Sequence, residues 1–186
     1  TTRNQLLDQL AYSLGGRAAE ELIFHDPSTG ASNDIEKATA LARAMVTQYG
    51  MTEAIGAIKL GTDASEPFMG RDYGHQRDYS ENVAAIVDGE IRKLIEKAHQ
   101  EAYDILEANR GILDEMVLEL LEKETLNKEE IAAIFAKVKS WPKRPAWTGS
   151  ENRLPSTQPP VDIPERITPA TTDSPRKSRR VKKATS

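Results

Sequence analysis

The chain has 186 residues and no cysteine, so its length suits one domain with appended segments, and disulfides and thiolate metal sites are excluded. No apolar run approaches the roughly 18 residues of a membrane-spanning helix, and no secretory signal opens the sequence. Residues 141–186 hold ten Lys/Arg against four Asp/Glu although the whole chain has net charge −4, which predicts an acidic body with a basic end.

The first 24 residues predict a helix or a pair of helices. Thr2 can act as the N-cap, and leucines at positions 6, 7, 10 and 14 recur at helical spacing. Gly15 and Gly16 weaken the pattern before it resumes at Ala18. We therefore expect one kinked helix or two abutting helices, with another backbone approaching the paired glycines closely.

A second helix is predicted from Ser32 to about Tyr49, because apolar residues follow one stripe over this range. Gly50 can end the helix in the left-handed conformation. Residues 51–79 contain four glycines and a proline, which indicates an irregular insertion. Within it, residues 57–60 are interpreted as a short strand.

Three further helices are predicted in the second half of the body. The longest starts at Ser80 and ends at Gly111, a rod of roughly 45 Å, and residues 112–121 form a fourth. A fifth begins where Asn127 and Glu130 can form a capping box. Its inward-facing residues are expected to be Ile131, Ile134, Phe135 and Val138. The expected fold is all-α, a bundle of about five helices with one long helix.

The chain changes character at Trp141. Eight of its ten prolines follow this residue, interspersed with serine and threonine. Such a composition cannot bury enough apolar surface to offset its chain entropy. We therefore expect two parts: a helical domain in residues 1–140 and a disordered tail in residues 141–186 that ends in a basic cluster at 176–183.

A metal site cannot be completed from the histidines of the chain. Zinc hydrolases commonly use His-Glu-x-x-His on a helix and take a third ligand from elsewhere. The three histidines, His25, His75 and His99, contain no such pair. Asp34, which follows a polar loop, could provide one carboxylate ligand. By itself, however, it reads as an ordinary acid in the first turn of a helix, where the dipole favours negative charge.

Longer motifs change that preference. Residues 14–21 read LGGRAAEE and residues 28–35 read STGASNDI, preceded by TRN at 2–4 and followed by FMGRD at 68–72. Together these segments resemble the peptidase domain of the FtsH family, which consists of membrane-anchored, ATP-dependent zinc metalloproteases of the AAA class. The resemblance covers residues 2–138 and is most specific in residues 14–35.

The resemblance implies roles for two acids. Asp34 matches the third protein ligand of zinc. Glu20 matches an acidic position near the metal, where a second-shell role is expected: it would accept the spare N–H of a ligand histidine. An equally favoured interpretation is that Glu20 simply belongs to a solvent-exposed face of the helix. The two histidine ligands and the glutamate general base are expected to lie outside this chain, which therefore contains no catalytic residue of its own.

The resemblance also implies the function and the surroundings. The expected parent protein is a homo-hexameric zinc metalloendopeptidase at the cytoplasmic face of the cell membrane. It would degrade unfolded cytosolic and membrane proteins, with ATP bound in a module outside this chain. Because the chain begins at Thr1 and lacks the zinc-binding helix, it is expected to be part of a longer protein and inactive alone.

An alternative from another functional class is a non-catalytic helical interaction module. Its basic tail would bind anionic lipid or nucleic acid through counterion release. The acidic body and the lack of a groove-reading motif argue against this alternative. For a tail on a membrane-anchored protein, an anionic membrane surface is the favoured of these two partners.

Overall fold

The structure is a computed structural model that describes residues 1–61 and 79–158. This part of the chain forms five α-helices and contains no strand, which confirms the all-α prediction. The helices are α1 (Arg3–Phe24), α2 (Ser32–Thr47), α3 (Glu81–Ala108), α4 (Arg110–Lys123) and α5 (Lys128–Phe135), and a 3-10 turn, Thr29–Ala31, precedes α2. None of these helices combines the length and apolar character that crossing a membrane requires.

The hydrophobic core lies between α1, α2 and α3, and α1 packs against both of the others. Leucines of α1, small and branched residues of α2, and one stripe of α3 meet there, as the helical spacing predicts. The buried members are Leu6, Leu10, Leu14, Ala38, Ala42, Met45, Val46, Val87, Ile91, Leu94 and Ala98. A smaller cluster of Ala11, Ala18 and Ala102 extends the contact between α1 and α3.

Helix α1 is a single helix. A capping box formed by Thr2 and Gln5 starts it, which confirms Thr2 as the N-cap. The helix continues through Gly15 and Gly16, and a Cβ added at either glycine would meet nothing within 4 Å. The expectation that another backbone approaches these glycines is therefore wrong for the described part of the chain.

Gly50 lies just after the end of α2 and adopts the predicted left-handed conformation, with a φ of +60°. A Cβ at this position would lie 2.7 Å from the Cα of Ala57 and from the carbonyl oxygen of Gly56. The strand interpretation of residues 57–60 is wrong. The amide of Leu60 donates to the carbonyl of Thr47 at 2.7 Å, so this segment folds back on the end of α2 instead of pairing with a strand.

The long helix α3 begins after Ser80, whose hydroxyl accepts from the amide of Val83. It ends at Ala108, three residues before the predicted end. The side chain of Asn109 donates to the carbonyl of Ile105 at 2.9 Å, and α4 starts immediately afterwards. A local side-chain bond to the last turn thus competes with helix continuation.

The two last helices leave much of their apolar surface exposed. Helix α4 has no buried residue, and Leu121 is 76% exposed. The capping box of Asn127 and Glu130 at the start of α5 is confirmed. Of the four residues expected to face inward, Ile134 is buried, but Phe135 and Val138 are exposed, so that expectation is wrong for these two.

Packing continues beyond the last helix. The chain separates into one compact unit from Thr1 to Leu154 and another from Pro155 to Ser186. The predicted boundary at residue 141 therefore falls inside the first unit. Among the described residues the last helix ends at Phe135, whereas tertiary contacts continue past residue 141 through Arg144 and Trp147. In the second unit, residues 155–158 are described, and the amide of Gln158 donates to the hydroxyl of Ser156.

Candidate functional site

The loop between α1 and α2 is held by the carboxylate of Glu20 near the end of α1. Its Oε2 accepts from the amide of Ser28 at 2.9 Å, and its Oε1 accepts from the hydroxyl of Ser28 at 2.6 Å. The same hydroxyl accepts from the amide of Gly30 at 3.1 Å. The loop that leads into α2 is therefore fixed by its own polar side chains.

These hydrogen bonds lower the pKa of Glu20. The bond from the Ser28 hydroxyl has the largest effect, followed by the bond from the Ser28 amide, and nearby Arg17 adds to them. Donors directed at a carboxylate stabilise its charged form. Glu20 is thus held as an anion at neutral pH.

Asp34 lies in the first turn of α2, as predicted. Ala31, the N-cap of α2, makes no side-chain capping bond, so a carboxylate in this turn is favoured by the free amides and the helix dipole. The Asp34 side chain is 52% exposed, and its Oδ1 lies 3.7 Å from Nζ of Lys37. Such an exposed ion pair contributes little to stability.

The described residues do not complete a metal site. Glu20 is joined to Ser28 and Asp34 to Lys37, and no described interaction joins the two carboxylates. Within residues 1–61 and 79–158, no group of three or more His, Cys, Asp or Glu side chains is placed to hold a metal ion. Asp34 is an acceptable zinc donor by type, but one carboxylate does not fill a tetrahedral site.

The two described histidines, His25 and His99, both contact Glu21, whereas Asp34 contacts Lys37. His25 ends α1 in the left-handed conformation and is exposed. His99 of α3 places Nε2 3.0 Å from Oε2 of Glu21, but no hydrogen bond of acceptable direction forms. Glu21 also pairs with Arg17 at 2.5 Å, so these side chains link α1 to α3. His75 lies outside the described residues.

Sequence reasoning missed a cluster around Arg144. Its guanidinium pairs with Asp8 of α1 and Glu101 of α3. Burial by itself lowers the pKa of Arg144, but the hydrogen bonds to Glu101 and Asp8 raise it above its usual value. Nothing in the local sequence identifies this cluster, since the partners lie 136 and 43 positions away.

The fold and the two motifs define a helical peptidase segment. Residues 1–134 match Peptidase family M41, and the chain therefore belongs to this family. The FMGRD motif at residues 68–72 lies within this match but outside the described residues.

Several curated relatives carry the name ATP-dependent zinc metalloprotease FtsH. The chain is 60% identical over 164 residues to the protein of Cutibacterium acnes (strain SK137), with 88% of this chain and 23% of that protein covered. For Mycobacterium leprae (strain TN), the values are 49% identity over 163 residues, covering 88% and 21%. An FtsH 1 of a Thermoanaerobacter species (strain X514) is 47% identical over 134 residues, covering 72% and 22%.

The chain thus spans about a fifth of the length of the curated relatives that it matches. The relatives' names describe zinc and ATP dependence for whole proteins. Membership of a peptidase family does not favour the alternative of a non-catalytic interaction module.

Proposed function

We propose that this chain is part of an ATP-dependent zinc metalloendopeptidase, in which Asp34 supplies one zinc ligand and the helices α1 to α3 supply the scaffold. The family match over residues 1–134 carries this proposal. The two histidine ligands, the general base and the ATP-binding module are proposed to come from polypeptide outside these 186 residues.

The local geometry of Asp34 supports a ligand role. A metal ligand needs a fixed backbone and an accessible oxygen. The first turn of α2 provides the fixed backbone, and the half-exposed side chain leaves its oxygens accessible. The long contact with Lys37 is weak enough to be exchanged for a metal ion.

The bonds of Glu20 to Ser28 are compatible with a second-shell role. An ionised carboxylate offers about four lone-pair sites, and Ser28 uses two of them. The remaining sites could accept the N–H of a ligand histidine, which would fix its tautomer. In this proposal Glu20 both holds the loop before α2 and orients a metal ligand.

The wider assignments rest on the same family match. The proposed substrates are unfolded proteins, the proposed assembly is a homo-hexamer, and the proposed location is the cytoplasmic face of the cell membrane. A bound Zn²⁺ would polarise the scissile carbonyl and lower the pKa of a water molecule. This chain would contribute the position of one ligand.

A chimera tests the role of Asp34. Residues 1–186 replace the matching region of the Cutibacterium acnes relative, and bound zinc and chelator-sensitive cleavage of an unfolded protein such as casein are measured. Asp34→Asn is expected to lose most of both. Glu36→Gln is the matched control, because Glu36 is an exposed acid on the same helix. Zinc content that persists in Asp34→Asn would overturn the ligand assignment.

The same chimera tests Glu20. Glu20→Gln is expected to weaken zinc binding about 10- to 100-fold, the usual effect of losing a second-shell partner. Unchanged zinc affinity would reduce Glu20 to a loop-holding residue. The chain alone, with added zinc, is expected to show no chelator-sensitive cleavage.

A further inference from the structure

An arginine in the proline-rich segment after α5 joins two helices of the core. Arg144 pairs with Asp8 near the start of α1 and with Glu101 in α3, and it also donates to the carbonyl of Asn4 at 3.4 Å. We propose that residues 141–154, here called the strap, form an ionic latch that holds the first turns of α1 against α3.

The bond to Glu101 is the main anchor. The side chains of Arg144 and Glu101 are 19% and 21% exposed, whereas Asp8 is 65% exposed. Solvent screens an exposed pair strongly and a part-buried pair much less. Glu101 therefore contributes more to closing the latch than Asp8.

Trp147 forms a second anchor three residues later. The guanidinium carbon of Arg3 lies 4.5 Å from the centre of the Trp147 ring, a cation–π arrangement. Arg3 in turn donates from Nε to the carbonyl of Met51 at 3.1 Å. The strap thus touches the first residue of α1 and, through it, the segment after α2.

The end of the strap is a turn stabilised by its own bonds. The hydroxyl of Thr148 contacts the carbonyls of Ser150 and Arg153, at 3.0 and 2.6 Å. Gly149 has a φ of +80°, a conformation that glycine adopts without strain. This turn keeps Trp147 in position over Arg3 without needing a helix.

The strap forms one wall of a cavity. The space has a volume of about 890 Å³ and is lined by Leu7 of α1, Leu94 and Lys97 of α3, and Arg144 and Trp147 of the strap. Both acidic and basic side chains line this cavity. Release of the strap would remove this wall and leave the first turns of α1 without their contacts to Arg144 and Trp147.

The latch lies beyond the residues that match the peptidase family, which end at 134. The match to the Cutibacterium acnes relative covers 164 residues of this chain. A match of that length in a chain of 186 residues has to include residues 141–154, so the strap lies within it. The helix between Asn4 and Glu20 measures roughly 24 Å. Release of the strap should therefore loosen the start of α1 and leave the contact of Glu20 with Ser28 intact.

A single tryptophan reports the state of the strap. Trp141 and Trp147 are the two tryptophans of the chain, so Trp141→Phe leaves Trp147 as the only reporter in the full chain. In this background, Arg144→Gln is expected to red-shift the emission and increase quenching by acrylamide. Lys143→Gln is the matched control, because it removes the same charge from an exposed neighbouring position.

Hydrogen exchange locates the effect. Arg144→Gln should reduce protection in the first turns of α1 about tenfold or more, as expected for a lost charge-assisted bond, and leave the amide of Ser28 unchanged. Glu101→Gln should have a larger effect than Asp8→Asn. The pair Arg144→Glu with Glu101→Arg should recover part of the protection.

Two results would overturn the latch. One is that Arg144→Gln leaves both the Trp147 signal and the protection of α1 equal to those of Lys143→Gln. The other is that protection falls uniformly through α1 to Ser28, which would make Arg144 a general stabiliser. Neither result depends on zinc or on cleavage, so the latch and the proposed function fail separately.

Discussion

Glu20 and Ser28 are joined by two hydrogen bonds, one from the Ser28 amide and one from its hydroxyl, across eight positions of sequence. One acid near the end of α1 thereby fixes the loop that leads to Asp34. The position of the candidate ligand depends on this contact, because Ser28 lies directly before the 3-10 turn that starts α2.

The Glu20 contact is expected to depend on pH. The folded pKa of Glu20 is lowered, so its contribution to stability is complete above the unfolded value of about 4.3 and is lost as pH falls through the folded value. The protection of the Ser28 amide should decline in that range. Glu20→Gln should weaken this protection at neutral pH and abolish its pH dependence, whereas Glu36→Gln should change neither.

Substitution by alanine should change the stability in opposite directions at a glycine inside a helix and at a glycine with positive φ. Gly16→Ala is expected to stabilise the chain by about 0.5–1 kcal/mol, because the helix gains propensity and the new Cβ meets nothing. Gly50→Ala should destabilise it by at least about 1–2 kcal/mol through left-handed strain, with a clash against Ala57 added. Denaturant unfolding measures both. Destabilisation by Gly16→Ala would contradict the open environment of that face.

The core should tolerate truncation far less than α4. Leu10 is fully buried at 0% exposure, so Leu10→Ala is expected to cost about 2–5 kcal/mol of unfolding free energy. Leu118→Ala, on the exposed face of α4, should change it by no more than about 0.5 kcal/mol. A large loss at Leu118 would show that another surface covers α4.

The start of α5 depends on one side chain. Asn127 accepts from the amide of Glu130 at 2.9 Å, and its own amide donates to the Glu130 carboxylate at 2.9 Å. Asn127→Ala should cost about 1 kcal/mol and reduce amide protection in α5 first. Asn127→Asp, which can still cap, should retain most of the stability. Equal losses in the two variants would argue against the cap.

The sequence predicted helix starts better than helix faces. The sequence predicts Thr2 and Asn127 as capping residues and Ser80 as the start of the longest helix, because capping depends on neighbouring residues three positions apart. Phe135 and Val138 were expected to be buried and are exposed. Burial depends on which other element covers a face, and local periodicity does not contain that information.

The sequence by itself determined the helical class, the caps and the family motifs around Glu20 and Asp34, since each is set by residues close together in the chain. Only the tertiary structure decided that Glu20 binds Ser28, that Gly15 and Gly16 face open space, and that Arg144 reaches Asp8 and Glu101. These contacts join separate segments of the chain, and their geometry exists only after α1, α2 and α3 have packed together.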